Sequence, residues 1–254
     1  MLELALTKTK TEYGDFELRK VEGDINLGRL MKQMGKGVYT NFFFKVSITD
    51  DLLANFHVLK FPIDRGISGY RIAYAHKDTG EQLCSMYNEE SLKRLILVQG
   101  TGWLDSSILG YNGFNVYNVS NYESMFDMVD TKRADLFFRG INEIGLEKGY
   151  LDGHYKNLVV EPCLAFYYPL PRFFVTNKNN LKNGARVELG LRKAFEDGSF
   201  IKLWEEYFLA NIERANVSER NIIQLENPFI KTLDEQYKKY NYPLKMKYIE
   251  TVSR

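Results

Sequence analysis

Two arginines are the residues of this chain whose type best suits the binding of a charged ligand. Arg71 lies in an extended run, and Arg139 follows the apolar stretch at residues 134–138. A guanidinium group presents a planar fork of donors that fits a carboxylate or a phosphate. If both groups face one groove, the ligand should carry negative charge. The alternatives are structural: a salt bridge between two lobes for Arg71, and an ion pair with Glu143, four residues later, for Arg139.

A glycine-rich turn is the second candidate for binding chemistry. The segment QGTGW joins a strand-like run to a helix-like one. Such a turn exposes backbone N–H groups at a helix N-terminus, where the positive end of the helix dipole attracts an anion. Gly102 allows close approach, the Thr101 hydroxyl adds a donor, and the Trp103 indole offers a stacking face. Together with Gln99 these are predicted ligand-binding residues; the alternative is a plain connector with Trp103 packed in the core.

Other polar groupings give no reason to expect catalysis. His57, His76 and His154 are scattered and should be structural or exposed. Glu143 and Glu147 are spaced like a carboxylate pair, but a solvated helix face is the expected explanation. The sequence has no CxxC, CxxH or HExxH spacing that would indicate a metal site. It also has no Ser-His-Asp or Cys-His arrangement that would indicate a catalytic nucleophile. We therefore expect neither an enzyme nor a metal or cofactor.

Composition narrows the class of protein further. The 254 residues include 34 basic and 33 acidic side chains, a net charge of +1 that gives no attraction to nucleic acid or an anionic membrane. No run of about 18 apolar residues predicts a membrane-spanning helix. Residues 1–10 lack the pattern of a signal peptide, so the protein is either cytoplasmic or written without its leader. Cys84 and Cys163 are expected to be buried thiols, with a disulfide left open for an oxidising compartment.

Strand-like and helix-like segments that could position these residues alternate along the middle of the chain. Strands are predicted at residues 96–98, 114–119, 134–138 and 158–168, and helices at residues 90–95, 103–111 and 122–132. This alternation is typical of βαβ units and a mostly parallel sheet.

The two ends of the chain have a different pattern. Before the middle segment we predict a strand at residues 15–21, a helix at 26–35 and two strand-like runs at 39–48 and 58–63. After it, two amphipathic helices are predicted at residues 181–197 and 199–211, followed by an irregular tail from residue 227.

Two extended segments are predicted to connect two lobes. They are SGYRIAYAHK, residues 68–77, and YPLPRFFVTNK, residues 168–178. In the second, Pro169 and Pro171 bias the backbone to extended conformations. Tyr168 borders this connection and is predicted to line a ligand cleft.

The lobes that follow from these connections are discontinuous in sequence. Residues 70–174 would form an inserted lobe 2, and residues 1–69 with 175–254 would form lobe 1. Paired connections of this kind are the geometry of a hinged cleft.

The order of the motifs resembles that of the type II periplasmic solute-binding proteins. The motifs are GYR at residues 69–71, QGTGWLD at 99–105, NGF at 112–114, RADLFFRGINEI at 133–144, YPLPRF at 168–173 and GLRKAFEDGSF at 190–200. The chain is most similar to family 3, the amino-acid-binding-like substrate-binding proteins of ABC transporters, and within it to a poorly characterised subgroup. The resemblance covers about residues 2–228.

The resemblance implies an α/β, two-lobed periplasmic-binding-protein-like fold with mixed sheets flanked by helices and two hinge crossings. It implies a periplasmic monomer that closes on a small, anionic or polar ligand, with an ABC permease or a membrane sensor as partner. One alternative is an input module of a membrane signalling protein. Another is a non-binding or enzymatic member of the same fold.

The departures from the family concern the ligand. Amino-acid binders of the family carry a Thr-x-x-Arg segment, and the matching residues 49–52 here lack the arginine. Where those binders have an aspartate for the ligand ammonium, this chain has Arg139, which would repel a cation. An α-amino acid held in the usual way is therefore not expected. The family also has a strand before its first helix, whereas this chain starts inside that helix.

Overall fold

The structure is a computed structural model that describes residues 1–21, 27–39, 41–85, 89–151, 153–244 and 247–248. The helices are α1 (Leu2–Thr7), α2 (Lys10–Tyr13), α3 (Leu27–Gly35), α4 (Asp50–Asn55), α5 (Lys77–Leu83), α6 (Glu89–Leu92), α7 (Leu104–Tyr111), α8 (Tyr122–Asp130), α9 (Ile144–Leu151), α10 (Leu181–Glu196) and α11 (Ser199–Ala215). The strands are β1 (Phe44–Ser47), β2 (His57–Leu59), β3 (Tyr70–His76), β4 (Ile96–Gly100), β5 (Asn115–Val119), β6 (Leu136–Gly140), β7 (Leu158–Val160), β8 (Leu164–Tyr167), β9 (Arg172–Thr176), β10 (Asn221–Gln224) and β11 (Lys247–Tyr248).

The chain divides into two compact units, each with its own sheet. Unit 1 comprises Met1–Gly66, Pro171–Tyr207 and Ile230–Asn241, and unit 2 comprises Ile67–Leu170, Phe208–Phe229 and Tyr242–Arg254. Unit 2 thus contains most of the segment predicted as lobe 2, together with two later stretches of chain. The second of the three segments of unit 2 carries β10, which pairs with β8 and so belongs to the same sheet.

Unit 1 is built around a three-stranded antiparallel sheet in the order β1-β9-β2. Alternate residues of β1 and β9, such as Val46 and Phe173, face a core that also contains Ile48 and Leu52. The predicted helices at residues 26–35 and 181–197 are confirmed as α3 and α10, except that Asn26 lies outside the described residues.

The strand predicted at residues 15–21 is wrong, because this stretch has no regular structure. Apolar and charged residues alternate only from Asp15 to Arg19, and Leu18 and Val21 are 45% and 39% exposed. No described strand pairs with this stretch, so no sheet buries its apolar side chains.

Unit 2 contains an eight-stranded mixed sheet in the order β11-β10-β8-β3-β6-β4-β5, with β7 also paired to β3. The strands β4, β5 and β6 run parallel to one another, as their alternation with helices predicts. In contrast, β3 is antiparallel to β6, β7 and β8. The segment 68–77, predicted as a connection between lobes, is therefore mostly a buried interior strand of this sheet.

The long strand predicted at residues 158–168 is two strands, β7 and β8. The break falls at Glu161, which is buried. The Glu161 carboxylate accepts hydrogen bonds from the N–H groups of Cys163 and Leu164 and forms an ion pair with Arg220. These contacts turn the chain out of the ladder, because the backbone donors bond to a side chain rather than to a neighbouring strand.

A disulfide joins Cys84 to Cys163, with 5.1 Å between their Cα atoms. The expectation of two free buried thiols is therefore wrong. The bond connects the end of α5 to the β7–β8 connection, two parts of unit 2 that the sequence separates by 79 residues. Disulfides persist in oxidising compartments and are rare in the cytosol. Within the described residues, no helix is both long and apolar enough to cross a membrane.

Candidate functional site

All seven residues predicted to bind ligand lie in unit 2, around the end of β4 and the start of α7. Gly102 has φ of 78°, in the left-handed region that favours glycine. Trp103 is extended and forms the N-cap of α7, without a side-chain hydrogen bond to the helix. A Cβ on Gly100 would lie 2.3 Å from the Trp103 ring. Gly100 therefore allows the indole to fold back over the end of β4.

The turn presents backbone donors that the protein does not use. The Thr101 N–H group donates to the carbonyl oxygen of Val119, and the Trp103 N–H group donates to that of Gly100. In the described part of the chain, the N–H groups of Gly102, Leu104 and Asp105 have no acceptor. Thr101 and Gly102 are exposed. This is the arrangement in which a helix N-terminus binds an acceptor group.

Gln99 lies behind this turn rather than on its surface. Its side chain is fully buried, and its amide nitrogen donates to the carbonyl oxygen of Phe138, 3.2 Å away on β6. Its amide oxygen has no hydrogen-bond partner among the described residues. Gln99 therefore links β4 to β6 and holds the strand from which the turn emerges.

Arg71 is buried and paired within unit 2. Its Nε atom lies 2.8 Å from Oδ1 of Asp105, and its NH1 atom lies 3.4 Å from Oε2 of Glu143. Burial alone would lower the pKa of Arg71, but Asp105, Tyr168 and Glu143 outweigh it and raise the pKa above its ordinary value. The group thus stays charged, in a pair that lies within one unit rather than between two lobes.

Tyr168 belongs to the same cluster. The residue is fully buried, and its hydroxyl donates to Oδ1 of Asp105 over 2.5 Å. Burial and the nearby Asp105 charge raise the pKa of Tyr168, so the phenol remains a neutral donor. Arg71 and Tyr168 together fix the Asp105 carboxylate in the first turn of α7.

Arg139 lies in a cage of three aromatic rings. Its guanidinium carbon is 5.1 Å from the ring centre of Trp103, 5.4 Å from that of Tyr122 and 5.5 Å from that of Phe137. Each ring offers its electron-rich face to the cation. The Trp103 indole predicted to stack on a ligand therefore already stacks on Arg139.

Two glutamates close the cage. The Nε and NH2 atoms of Arg139 lie 2.7 and 2.6 Å from Oε1 of Glu147, and NH1 lies 3.5 Å from Oε2 of Glu143. Tyr122 donates to the same Glu147 oxygen over 2.5 Å. Burial favours the neutral arginine, but the two carboxylates raise its pKa above the ordinary value.

Glu143 joins the two clusters into one network. Its Oε2 atom accepts a hydrogen bond from the Gly140 N–H group and faces both Arg71 and Arg139. With Asp105 and Glu147, three carboxylates therefore face two guanidinium groups. The net charge of the network is −1 when all five groups are ionised.

This network changes what the predicted residues can do. Arg71 and Arg139 are neutralised, which removes the basis for expecting a simple anion. The same pairing removes the argument that Arg139 would repel an ammonium group. The solvated face expected for Glu143 and Glu147 is wrong, because their side chains are only 28% and 11% exposed. The i, i+4 spacing of Arg139 and Glu143 predicts their ion pair from the sequence. No local spacing indicates that Asp105 is the partner of Arg71.

Residues 49–52 of unit 1, where the sequence lacks the expected arginine, have a structural role. The Thr49 hydroxyl caps α4 by accepting from the Leu52 N–H group. The Asp50 carboxylate accepts from the backbone of Lys231 and Thr232. In the described residues, no cluster of histidine, cysteine, aspartate or glutamate could hold a metal ion.

The comparisons with known proteins concern the fold. No protein-family model matches the chain, and no curated protein matches it in sequence. Its structure is similar to that of an amino acid ABC transporter substrate-binding protein from Streptococcus pneumoniae bound to L-arginine, with 12% identity, a TM-score of 0.56 and 80% of each chain covered.

Two further solved structures have the same fold. The VFT2 domain of BvgS from Bordetella pertussis shares 15% identity at a TM-score of 0.56, covering 80% of this chain and 81% of that one. An ancestral amino-acid-binding protein, described as a precursor of cyclohexadienyl dehydratase, shares 15% identity at a TM-score of 0.55 and 82% coverage of both chains. At such identities the likeness establishes the fold alone. It confirms the predicted α/β fold class, with mixed sheets flanked by helices.

Proposed function

We propose that this chain, with its type II binding-protein fold, captures a small polar solute through the N-terminus of α7. The observation that carries the proposal is the set of three unused N–H donors at Gly102, Leu104 and Asp105. Donors of this kind hold a carboxylate or another strong acceptor without needing a cationic side chain. The ligand therefore carries at least one such acceptor group.

Within this proposal, the predicted site residues have two different roles. Thr101, Gly102 and Trp103 contact the ligand, since the first two are exposed and the third borders the same turn. Arg71, Arg139, Gln99 and Tyr168 are positioning residues. They fix Asp105, Glu143 and the end of β4 through the pairs described above, which keeps the donors aligned before ligand arrives.

The charge of the network extends the range of ligands that we propose. An excess of one carboxylate beside the N-terminus of a helix favours a molecule with both an acceptor and a cationic group. A zwitterion meets this condition, and so does a polar molecule with separate donor and acceptor ends. A dianion fits less well, because Asp105 and Glu143 would repel its second charge.

We propose that ligand binding shifts a conformational equilibrium of the chain toward a ligand-bound, closed form. The fold supports this proposal, because solved structures similar to this chain include an ancestral amino-acid-binding protein and a substrate-binding protein bound to L-arginine. The closed form would be what a permease or a membrane sensor recognises. We expect the chain to act as a monomer and to bind rather than transform its ligand.

We also propose that the protein works in the periplasm or an equivalent oxidising compartment. The disulfide between Cys84 and Cys163 supports this, because such bonds rarely persist in a reducing cytosol.

A ligand screen by thermal unfolding tests the proposal. The panel contains amino acids, mono-, di- and tricarboxylates, phosphorylated compounds and short peptides. A ligand present at 100 times its Kd stabilises the folded state by about 2.7 kcal/mol. We expect small carboxylates and zwitterions to raise the midpoint. A response limited to compounds without an acceptor group would contradict the proposal. Small-angle scattering with a ligand that scores should show compaction.

A further inference from the structure

A cavity lies in unit 2. It has a volume of about 520 Å³, within the range of small-molecule pockets. Its walls come from one face of β3, from β7, from α9 and from the end of α11. The larger aliphatic residues that line it include Ile72, Ile141, Ile144, Leu151, Leu158 and Val160. None of the residues predicted to bind ligand is among its lining residues.

One buried polar side chain faces this cavity without a partner. Asn211 on α11 is 8% exposed and lines the cavity. Within the described residues, its amide has no hydrogen-bond partner. A mostly buried amide that bonds to no protein group and borders an apolar cavity is a reason to look for a ligand. Its carbonyl oxygen packs most closely against Gly145, where a Cβ would lie 2.1 Å away. The NH2 group is therefore the donor left for a ligand.

A cation stands beside Asn211 on the same helix. Arg214 lines the cavity and is exposed, so its guanidinium can reach both solvent and the cavity. In the described part of the chain, Arg214 has no ion-pair partner, and none of the described lining residues is acidic. The two residues are three apart, which places them on one face of α11.

We propose that this cavity binds an amphipathic monocarboxylate. The apolar part of the ligand fills the aliphatic walls, and the carboxylate accepts hydrogen bonds from the Asn211 amide and the Arg214 guanidinium. Burial of the ligand's apolar chain against the aliphatic residues removes it from water and favours binding. The amide and the guanidinium favour an anionic head group over a neutral one. The ligand is thus of a different class from the small polar solute of the α7 turn.

Titration calorimetry on the full chain tests this inference, with sodium octanoate as the probe and 1-octanol and sodium acetate as comparison compounds. We expect octanoate to bind in the cavity with one site per chain, octanol to bind there more weakly, and acetate not to compete with octanoate for the cavity. Arg214→Gln should weaken octanoate binding about tenfold, since a hydrogen bond to a charged group is lost. Arg94→Gln is the matched control, because Arg94 is exposed in the same unit and is not a lining residue.

Two variants separate the inference from neighbouring explanations. Asn211→Leu keeps the branched shape of the side chain and removes the amide, so it should reduce the preference for octanoate over octanol. Leu104→Pro alters the α7 turn and should leave octanoate binding unchanged, which keeps this inference distinct from the proposed solute site. Absence of octanoate binding at millimolar concentrations would overturn the inference. So would equal losses in the Arg214 and Arg94 variants, or a loss of octanoate binding in the Leu104 variant.

Discussion

Removing the charge of Glu147 should destabilise unit 2 strongly, because it leaves Arg139 buried with a weaker partner. The two side chains are 11% and 12% exposed, and their closest atoms lie 2.6 Å apart. Breaking one partner of a buried pair costs roughly 3–5 kcal/mol. Glu143 remains 3.5 Å from the guanidinium in the Glu147→Gln variant and offsets part of that cost. We therefore expect a loss of about 2–3 kcal/mol in the free energy of unfolding.

The double variant Arg139→Met with Glu147→Met provides the decisive comparison. It replaces both charges with flexible apolar side chains that can pack among the rings of Trp103, Tyr122 and Phe137. Replacing a whole buried pair in this way is often close to neutral. The double variant should therefore be more stable than Arg139→Met alone or Glu147→Met alone, and the cycle of these three variants should give a coupling energy of about 2 kcal/mol or more.

Urea unfolding followed by tryptophan fluorescence measures these differences. The chain has two tryptophans, and Trp204 lies in unit 1. In a Trp204→Phe background, Trp103 is the only tryptophan of the sequence and reports the unfolding of unit 2. The unfolding of unit 1 then does not contribute to the measured transition. Glu90→Gln is the control, since Glu90 is 83% exposed and its pair with Lys93 should contribute little. A Glu147→Gln variant as stable as this control would refute the reasoning, and so would a double variant no better than the sum of the single ones.

Three further predictions concern other parts of the molecule. Replacing Cys84 and Cys163 by alanine should lower the stability of unit 2 by up to about 4.5 kcal/mol, the chain-entropy value for a loop of 79 residues, and urea unfolding that shows no loss would contradict this. The Lys8 and Ser199 hydrogen bonds hold the pKa of Asp197 at about 2, so a carbon-13 titration should show its carboxyl group protonating near pH 2. Because the folded-state pKa is depressed, its stabilising effect is present above about pH 4 and is lost as the pH falls through 2. Gly102→Ala should lower the free energy of unfolding by about 1–2 kcal/mol, because alanine is strained in the left-handed backbone conformation of this residue. No steric clash adds to this loss, since no atom lies within 4 Å of the new methyl group.

The sequence predicted those parts of the fold that depend on local patterns. The strands and helices between residues 96 and 140 were found within a few residues, because the apolar periodicity and the glycines mark their ends. The turn at Gly102 and Trp103 was identified for the same reason. Local chemistry fixes both the left-handed glycine and the start of α7.

Contacts between distant residues could not be read from local patterns. The interior position of β3 depends on antiparallel neighbours that follow it by more than 60 residues. The disulfide depends on the pairing of β3 with β7, which brings the end of α5 toward Cys163. The partners of Arg71 likewise come from α7 and from the residue just before α9, so the sequence showed a cation but not its neutralisation.

The most direct test of the central claim removes one backbone donor of the α7 turn. Leu104 is the first residue of the helix, where proline is well tolerated, and Trp103 before it is extended, with φ of −73° and ψ of 140°. Leu104→Pro thus removes the N–H group while preserving the helix, and Leu104→Ala is matched for loss of the side chain but keeps that donor.

Titration calorimetry with the best ligand from the screen compares the two variants. Losing a hydrogen bond to a charged acceptor costs about 1.5–3 kcal/mol, so the proline variant should bind roughly 10- to 100-fold more weakly than the alanine variant. Equal affinities in the two variants would contradict the claim that the N-terminus of α7 holds the ligand.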